Sequence, residues 1–240
     1  LFHINESIEQ EEENIYSRQG IPEKILIVSI TSNKGLCGAF NANVTKQVTY
    51  LINEEYIGEY KAGNVSIFSI GKKGSEYYKI KGFEQVFVSN DILDNLNFTN
   101  AIPIIEDIMQ SYVEKAYDKV ILVYNRFKNA AVQILTSDQF LPIELPTNIE
   151  IKENTDYIFE PAKEYIVQEL IPKSLKIQFY EALLESVAAE NGARMTAMHK
   201  ATDNATDLIR ALQLNYNKAR QATITNEILE IVGGAEALSK

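Results

Sequence analysis

The last third of the chain is a long stretch without proline, and it restricts the possible folds more than any other feature. Proline is absent after Pro172, and the later glycines are Gly192 and the pair Gly233–Gly234. Apolar side chains recur at intervals of three and four residues, at Met198, Ala201, Ala205, Leu208, Leu212, Tyr216 and Ala219. This near-heptad spacing places one apolar stripe along an α-helix and favours a coiled-coil partner. Unbroken over 174–232, the helix would be on the order of 90 Å long.

The residues of this helix leave two interpretations open. It is either a coiled-coil arm for oligomerisation or a helix enclosed by a larger partner surface. Alanines on its apolar side, among them Ala189, Ala193 and Ala197, allow a neighbour to approach closely. Alanine buries little apolar area, and burial contributes only ~25 cal/mol per Å². An alanine-rich helix therefore gains little from one helical partner, which favours a larger enclosing surface. Pro172 predicts a kink or a fresh helix start, and the glycine pair after Val232 predicts the C-terminal end.

Upstream of this helix, short apolar runs alternate with helical patterns. Strands are predicted at 24–30, 64–70, 85–89, 119–126 and 132–140, helices at 39–56 and 98–115, and a turn with a short helix at 71–82. The alternation predicts a Rossmann-like α/β layered domain with a mainly parallel five-stranded sheet, whose fifth strand is antiparallel at an edge. We divide the chain into an acidic N-terminal segment (1–23), an α/β globular domain (24–156) and a C-terminal helical shaft (157–240).

Composition restricts the functional classes. A net charge of −10 argues against nucleic-acid binding, which needs a concentrated basic surface. The single cysteine, Cys37, excludes an internal disulfide and fits a reducing compartment. No apolar run approaches the ~20 residues that a membrane-spanning helix requires, so we expect any membrane role to depend on partners.

The loop after the first predicted strand is the position where an α/β domain often binds phosphate. It contains Gly35, Cys37 and Gly38, but it matches neither the P-loop pattern nor the three spaced glycines of a dinucleotide site. We therefore expect these three residues to form a tight structural turn. Neither His3 nor His199 is expected to reach Cys37 and activate it as a nucleophile. The sequence predicts no catalytic, cofactor-binding or metal-binding residues.

Two blocks of the sequence resemble the gamma subunit of F-type ATP synthases. The C-terminal block contains ARMTAMHKATDNATDLI and LNYNKARQATITNEILEIVGGAEA, and is similar to that subunit's shaft helix. Its family pattern is filled by Ile224-Thr225, Glu227, Glu230 and Gly234-Ala235. The second block, ITSNKGLCGAFNANV, contains the loop with Cys37, which the resemblance places near the ring-facing end of the rotor.

The resemblance implies a non-catalytic rotor subunit that couples proton flow to conformational cycling of the catalytic beta subunits. Its expected partners are the alternating alpha and beta subunits, an epsilon-type stalk subunit and the membrane c-ring. The expected location is peripheral, on the cytoplasmic face of a bacterial inner membrane. The residues expected to meet partner subunits, chiefly loops of the beta subunits, are Arg194, Arg220, Gln221, Thr225 and Glu227.

The family also has a long N-terminal helix that winds antiparallel against the shaft. The sequence from Leu1 onward does not contain it, so we expect it to be encoded upstream. The alternative to the rotor is a soluble α/β adaptor or enzyme with a coiled-coil oligomerisation arm. An enzyme of that kind would need a group of ligand-binding side chains at the ends of the strands.

Overall fold

The computed structural model describes residues 15–18, 20–143 and 169–238. The strands are β1 (Ile25–Ile30), β2 (Val65–Ile70), β3 (Gln85–Ser89), β4 (Lys119–Asn129) and β5 (Val132–Leu141). The helices are α1 (Phe40–Tyr50), α2 (Ile57–Lys61), α3 (Lys72–Lys81), α4 (Phe98–Val113) and α5 (Ile171–Leu238), with a π-helical turn at Leu51–Glu55 and a 3-10 turn at Asp91–Leu93. Most of the predicted segment 1–23, and the predicted boundary between 156 and 157, lie outside the described residues.

The strands form one five-stranded sheet in the order β3-β2-β1-β4-β5. β1 pairs in parallel with β2 and β4, β2 pairs in parallel with β3, and β5 is antiparallel to β4. All six residues of β1 are buried, because helices cover both faces of a parallel sheet and its central strands become continuous apolar runs. The predicted fold class, including the antiparallel edge strand, is confirmed.

The alternation of side chains along β1 separates two hydrophobic cores. Leu26, Val28 and Ile30 face a core that also contains α4 and the start of α5, with Ile105, Tyr112, Leu175 and Phe179 among its members. Ile25 and Ile27 face the opposite core, which includes Val44, Val48 and Tyr78 of α1 and α3. The Tyr78 hydroxyl forms a buried 2.7 Å hydrogen bond with the Ser29 hydroxyl. The sheet is therefore the middle of three layers.

The helix predicted at 39–56 is interrupted in the structure. α1 ends at Tyr50, the π-helical turn follows, and the short α2 begins at Ile57. A π-helical turn inserts one residue and rotates the side chains that follow. Leu51, Ile52 and Tyr56 all lie in the same core as Val44 and Val48.

Helix α5 begins and ends differently from some sequence expectations. Its α-helical part starts at Ile171 with Pro172 in its first turn, directly after two π-helical residues at 169–170, and the expectation of a kink or a fresh helix start at Pro172 stays a prediction. The predicted end at Gly233–Gly234 is wrong, because the helix continues to Leu238. Glycine in a helix interior costs about 1 kcal/mol relative to alanine, which weakens a helix without ending it. Val232, Ala235 and Leu238 are all compatible with a continuing helix.

The chain divides into two compact units, residues 1–195 and 196–240. Within the first unit, the start of α5 packs on the sheet domain through the buried side chains of Leu175, Phe179 and Leu183. Within the second unit, every residue from 198 to 235 is exposed. Among the described residues, no helix is both long enough and apolar enough to cross a bilayer.

The ends of β1 and β2 are held together by an unusually close backbone contact. Gly71 has φ 98°, and a Cβ atom added there would lie 2.1 Å from the carbonyl oxygen of Thr31. The Thr31 hydroxyl donates to the Ile70 carbonyl at 3.2 Å and accepts from the Gly74 N–H at 2.9 Å. These contacts fix the carboxyl edge of the sheet, from which the loop described next departs.

Candidate functional site

The loop between β1 and α1 lies at the topological switch point of the sheet. From β1 the sheet continues outward to β2 and β3 on one side, whereas β4 and β5 lie on the other side, so the order reverses between β1 and β4. Open α/β sheets bind their ligands at the carboxyl ends of the two strands where the order reverses. In this chain the loop satisfies its own polar groups. The Ser32 hydroxyl donates to the Lys34 carbonyl at 2.6 Å, and the Asn41 carboxamide accepts from the Ser32 N–H at 2.9 Å.

The three residues assigned to the turn have different roles in the loop. Gly38 has φ 60°, a conformation that glycine adopts without strain, whereas Gly35 has no such requirement. The second residue with positive φ is Leu36, at 62°, and its side chain is exposed. Cys37 is buried, and its sulfur accepts a hydrogen bond from the Asn41 amide at 3.3 Å. Leu36 is therefore the loop residue with unexpected backbone geometry.

Small residues of α5 pack where an enzyme of this fold would bind a ligand. Cys37 and Phe40 form a hydrophobic cluster with Ala189 and Ala193. A Cβ atom at Gly192 would lie 3.1 Å from both the Ala130 Cα and the Phe127 ring, so this side of the helix contacts the β4–β5 hairpin closely. These three small residues of α5 thus pack against the chain's own α/β domain, a role that the sequence did not predict.

Arg194 connects the same helix to the switch-point loop. Its guanidinium donates to the Glu190 carboxylate at 2.6 Å and to the Lys34 carbonyl at 3.3 Å. A second guanidinium nitrogen lies 3.4 Å from the Asn191 side-chain oxygen. The arginine fork thereby bridges positions 160 residues apart in the sequence. This contact lies within the chain, and the predicted contact of Arg194 with a partner subunit stays a prediction.

The remaining predicted interface residues lie on the exposed part of α5. Arg220 and Glu227 are seven residues apart, about two helical turns, and share one face. Gln221 and Thr225 are four residues apart on another face, where the Thr225 hydroxyl donates to the Gln221 carbonyl at 2.8 Å. The Arg220 side chain has no ion-pair partner within the described residues. All four side chains are available to a partner.

The apolar stripe from Met198 to Ala219 is exposed along its whole length. Large apolar side chains continue beyond it at Ile224, Ile228 and Ile231, on a different face of the helix. Contiguous exposed apolar surface of this extent indicates interaction with other polypeptides. The nearby ion pair between Arg210 and Asp207, at 3.5 Å with both side chains mostly exposed, contributes little stability.

The perturbed titratable groups are mainly tyrosines in structural positions. Burial raises the pKa of Tyr78, and its hydrogen bond with Ser29 opposes that shift. Burial also raises the pKa of Tyr124, and the nearby Asp138 carboxylate raises it further. Within residues 15–18, 20–143 and 169–238, no group of three or more His, Cys, Asp or Glu side chains could hold a metal ion.

A cavity of about 420 Å³ lies at the opposite edge of the sheet, before β1 and β4 begin. Arg18, Lys115, Asp118 and Lys119 contribute to its lining. The Asp118 carboxylate accepts hydrogen bonds from the backbone N–H groups of Glu23 and Lys24 at 3.2 and 2.9 Å. Asp118 therefore holds the chain at the entrance to β1.

Comparison with known proteins gives these surfaces a family context. Residues 1–238 match the family model described as ATP synthase. The chain is 52% identical over 239 residues to the ATP synthase gamma chain of Christiangramia forsetii, and 49% identical over 242 residues to that of Cytophaga hutchinsonii. Each match covers 100% of this chain and 82% of the relative. The chain belongs to the ATP synthase gamma family. It is a central-stalk rotor subunit, and the adaptor or enzyme alternative is not favoured.

Solved structures agree with this assignment of a gamma fold. The central stalk/c-ring structure of Tetrahymena thermophila mitochondrial ATP synthase has a similar chain at 26% identity and a TM-score of 0.61, covering 83% of this chain and 86% of that one. A chain of the Euglena gracilis mitochondrial ATP synthase matches at 22% identity and a TM-score of 0.69, covering 98% and 85%. The second similarity supports the gamma fold alone.

Proposed function

We propose that this gamma chain transmits torque between a membrane c-ring and the catalytic beta subunits, without a catalytic group of its own. It would work on the cytoplasmic face of a bacterial inner membrane as a peripheral subunit. An alternating ring of alpha and beta subunits would surround the exposed part of α5. The c-ring and an epsilon-type stalk subunit would contact the α/β domain.

The exposed helix from 198 to 235 is the observation that carries this proposal. Its apolar stripe, Met198 to Ala219, has the near-heptad spacing that fits a second helix, and we propose an antiparallel N-terminal helix of the family type as that partner. Beyond Ala219 the apolar residues move to another face of the helix. A different surface, that of the alpha/beta ring, would cover them.

The polar faces of the same helix suggest how rotation could act on the catalytic sites. Arg220 and Glu227 share one face, and Gln221 and Thr225 share another. A ring of repeated subunits would therefore meet a different set of side chains on each side of one helix. A ligand or surface shifts a conformational equilibrium only by binding one state more tightly than another. Rotation would present each beta subunit in turn with the face that its next conformation prefers.

The small residues of α5 support a second element of the proposal. Ala189 and Ala193 pack on Cys37 and Phe40, and Arg194 bonds to the Lys34 carbonyl. The loop and the beginning of the helix would then move as one body when torque is applied. This rigidity suits a rotor, in which a compliant joint would store part of the transmitted energy.

The isolated chain should bind no Mg-ATP. When the chain is reconstituted with the alpha and beta subunits of the same complex, it should raise their ATPase activity. Neither a P-loop nor a dinucleotide loop occurs at the switch point, and α5 packs there. Isothermal calorimetry with Mg-ATP and steady-state ATPase assays provide the two measurements. Micromolar binding of Mg-ATP to the chain alone would contradict the non-catalytic role. An unchanged ATPase rate on reconstitution would contradict the rotor role.

A further inference from the structure

We propose that the outer edge of β3, together with Ile80 of α3, binds an extended segment of another stalk subunit, which pairs with β3 as an additional strand. The segment would be apolar and flanked by acidic residues. The inference rests on the proposed function, because it assumes that the chain works inside a multisubunit stalk. It identifies a specific docking surface that the rotor role alone does not define.

The first observation is the exposure of β3 itself. Val86, Phe87 and Val88 are 54%, 46% and 40% exposed, and Ile80 is 84% exposed. Among the residues that the structure describes, β3 is the terminal strand and its backbone pairs only with β2. An edge of this kind presents unpaired N–H and C=O groups to solvent. Three consecutive apolar side chains on it create a surface that pairs readily with another strand.

The opposite edge of the sheet is more polar, although Val132, Ile134 and Leu135 of β5 are also 46%, 45% and 37% exposed. β5 carries Gln133, Thr136, Ser137, Asp138 and Gln139 along its length. Soluble proteins protect exposed edges with charged or polar side chains, and β3 has no charged residue between Gln85 and Ser89. The edge of β3 thus lacks the charge that Asp138 provides on β5.

Local backbone geometry limits the length of the added strand. The β2–β3 register shifts between Ile67 and Phe68, so that the paired partner changes from Gln85 to Phe87. The regular part of the edge is therefore short, from Phe87 to Ser89. Phe87 also stacks on Phe68 with ring centroids 4.9 Å apart, which holds its side chain in place. Apolar contacts with Ile80 and Val88 would supply much of the affinity.

Charge indicates the chemistry of the partner. Lys73 of α3 pairs with Glu76 at 2.7 Å, whereas Lys79 and Lys81 have no ion-pair partner among the described residues. These two lysines flank Ile80, on a chain with a net charge of −10. Complementary charges across an interface favour the correct partner and suppress others. Acidic residues beside the apolar segment would match this pair of lysines.

The test uses the complete ATP synthase complex that contains this chain. In the variant Val88→Cys, the new thiol should react with a soluble maleimide in the isolated chain and at least about tenfold more slowly in the complex, because strand addition covers that edge. Cys37 is 2% exposed and contributes little background. Equal reaction rates in the isolated chain and in an active complex would overturn the proposal. Failure of the chain to assemble would instead count against the proposed function.

A photoactivatable cross-linker on the same cysteine identifies what covers the edge. The predicted product joins Val88→Cys to an apolar peptide flanked by Asp or Glu in another stalk subunit. A product with lipid, with an alpha or beta subunit, or with a second copy of this chain would overturn the assignment.

Charge reversal provides an independent measurement. Lys79→Glu combined with Lys81→Glu should weaken retention of the cross-linked subunit, and the loss should decrease as salt concentration rises. Lys61→Glu is the matched control, because Lys61 is an exposed lysine of α2 that also has no ion-pair partner among the described residues. Equal retention of the cross-linked subunit by the double variant and the control would show that the two lysines do not contribute to binding.

Discussion

Replacing Gly71 with alanine should lower the free energy of unfolding of the α/β domain by on the order of 4 kcal/mol. At φ 98° a side chain is strained, and the added Cβ would lie 2.1 Å from the Thr31 carbonyl oxygen and 2.6 Å from its carbon. Neither atom can move easily, because the Thr31 N–H donates to the Ile70 carbonyl and the Gly71 N–H donates to the Ser89 carbonyl. The substitution must therefore separate strand ends that the sheet holds together.

Thermal unfolding followed by near-ultraviolet circular dichroism measures this effect. The chain has 13 tyrosines and no tryptophan, and only Tyr216 lies beyond residue 195, so the signal reports mainly the α/β domain. A loss of this size lowers the melting temperature by roughly 10 °C for a domain of this length. Gly58→Ala is the control, because Gly58 lies in α2 with open space around it, and alanine favours a helix there. Equal melting temperatures for the two variants would show that the contact with Thr31 does not constrain the fold.

Replacing Arg220 with alanine should lower ATP hydrolysis and synthesis in an otherwise assembled complex. We propose that the Arg220 guanidinium meets a carboxylate on a beta-subunit loop, because it is exposed and has no ion-pair partner among the described residues. If the pair is partly desolvated, truncation costs about 2–5 kcal/mol, much of it from leaving the partner's charge unpaired. Gln221→Ala removes a neutral hydrogen bond and should cost about 1 kcal/mol.

Asp207→Ala is the control for the Arg220 and Gln221 variants. Asp207 lies on the same exposed helix, and its 3.5 Å pair with Arg210 is largely solvated, so its loss should be nearly silent. Steady-state ATPase activity of the reconstituted complexes gives the order, with Arg220→Ala lowest and Asp207→Ala closest to wild type. Normal turnover in Arg220→Ala, with assembly verified, would exclude this side chain from the catalytic interface.

The sheet could be predicted because its sequence signals are local. β1 and β4 are continuous apolar runs, and β5 lies directly after β4, so their classes and even the antiparallel pairing follow from short segments. The π-helical turn at Leu51–Glu55 could not be predicted in this way. Leu51 and Ile52 pack in a core that also contains residues distant in sequence, such as Ile121 and Val123, and no local pattern reports those contacts.

The contacts of α5 illustrate the same limit. Periodicity correctly predicted a long amphipathic helix, but Ala189 and Ala193 carry the same sequence signal as the alanines of the exposed stripe. Only the folded structure distinguishes the alanines that pack on Cys37 from the alanines that stay exposed to a partner. The bond from Arg194 to the Lys34 carbonyl crosses 160 residues and has no local signature. The helix end was predicted wrongly because Gly233 and Gly234 lower helix propensity without forbidding a helix.

Single-molecule rotation of this chain within its complex measures whether it acts as the rotor. The alpha/beta ring is fixed to a surface, and a bead is attached to the α/β domain through Lys61→Cys, an exposed position, while the native Cys37 stays buried. We expect continuous rotation in one direction while ATP is supplied, ending when ATP is withdrawn. ATP hydrolysis by the same immobilised complexes with a stationary bead would contradict it.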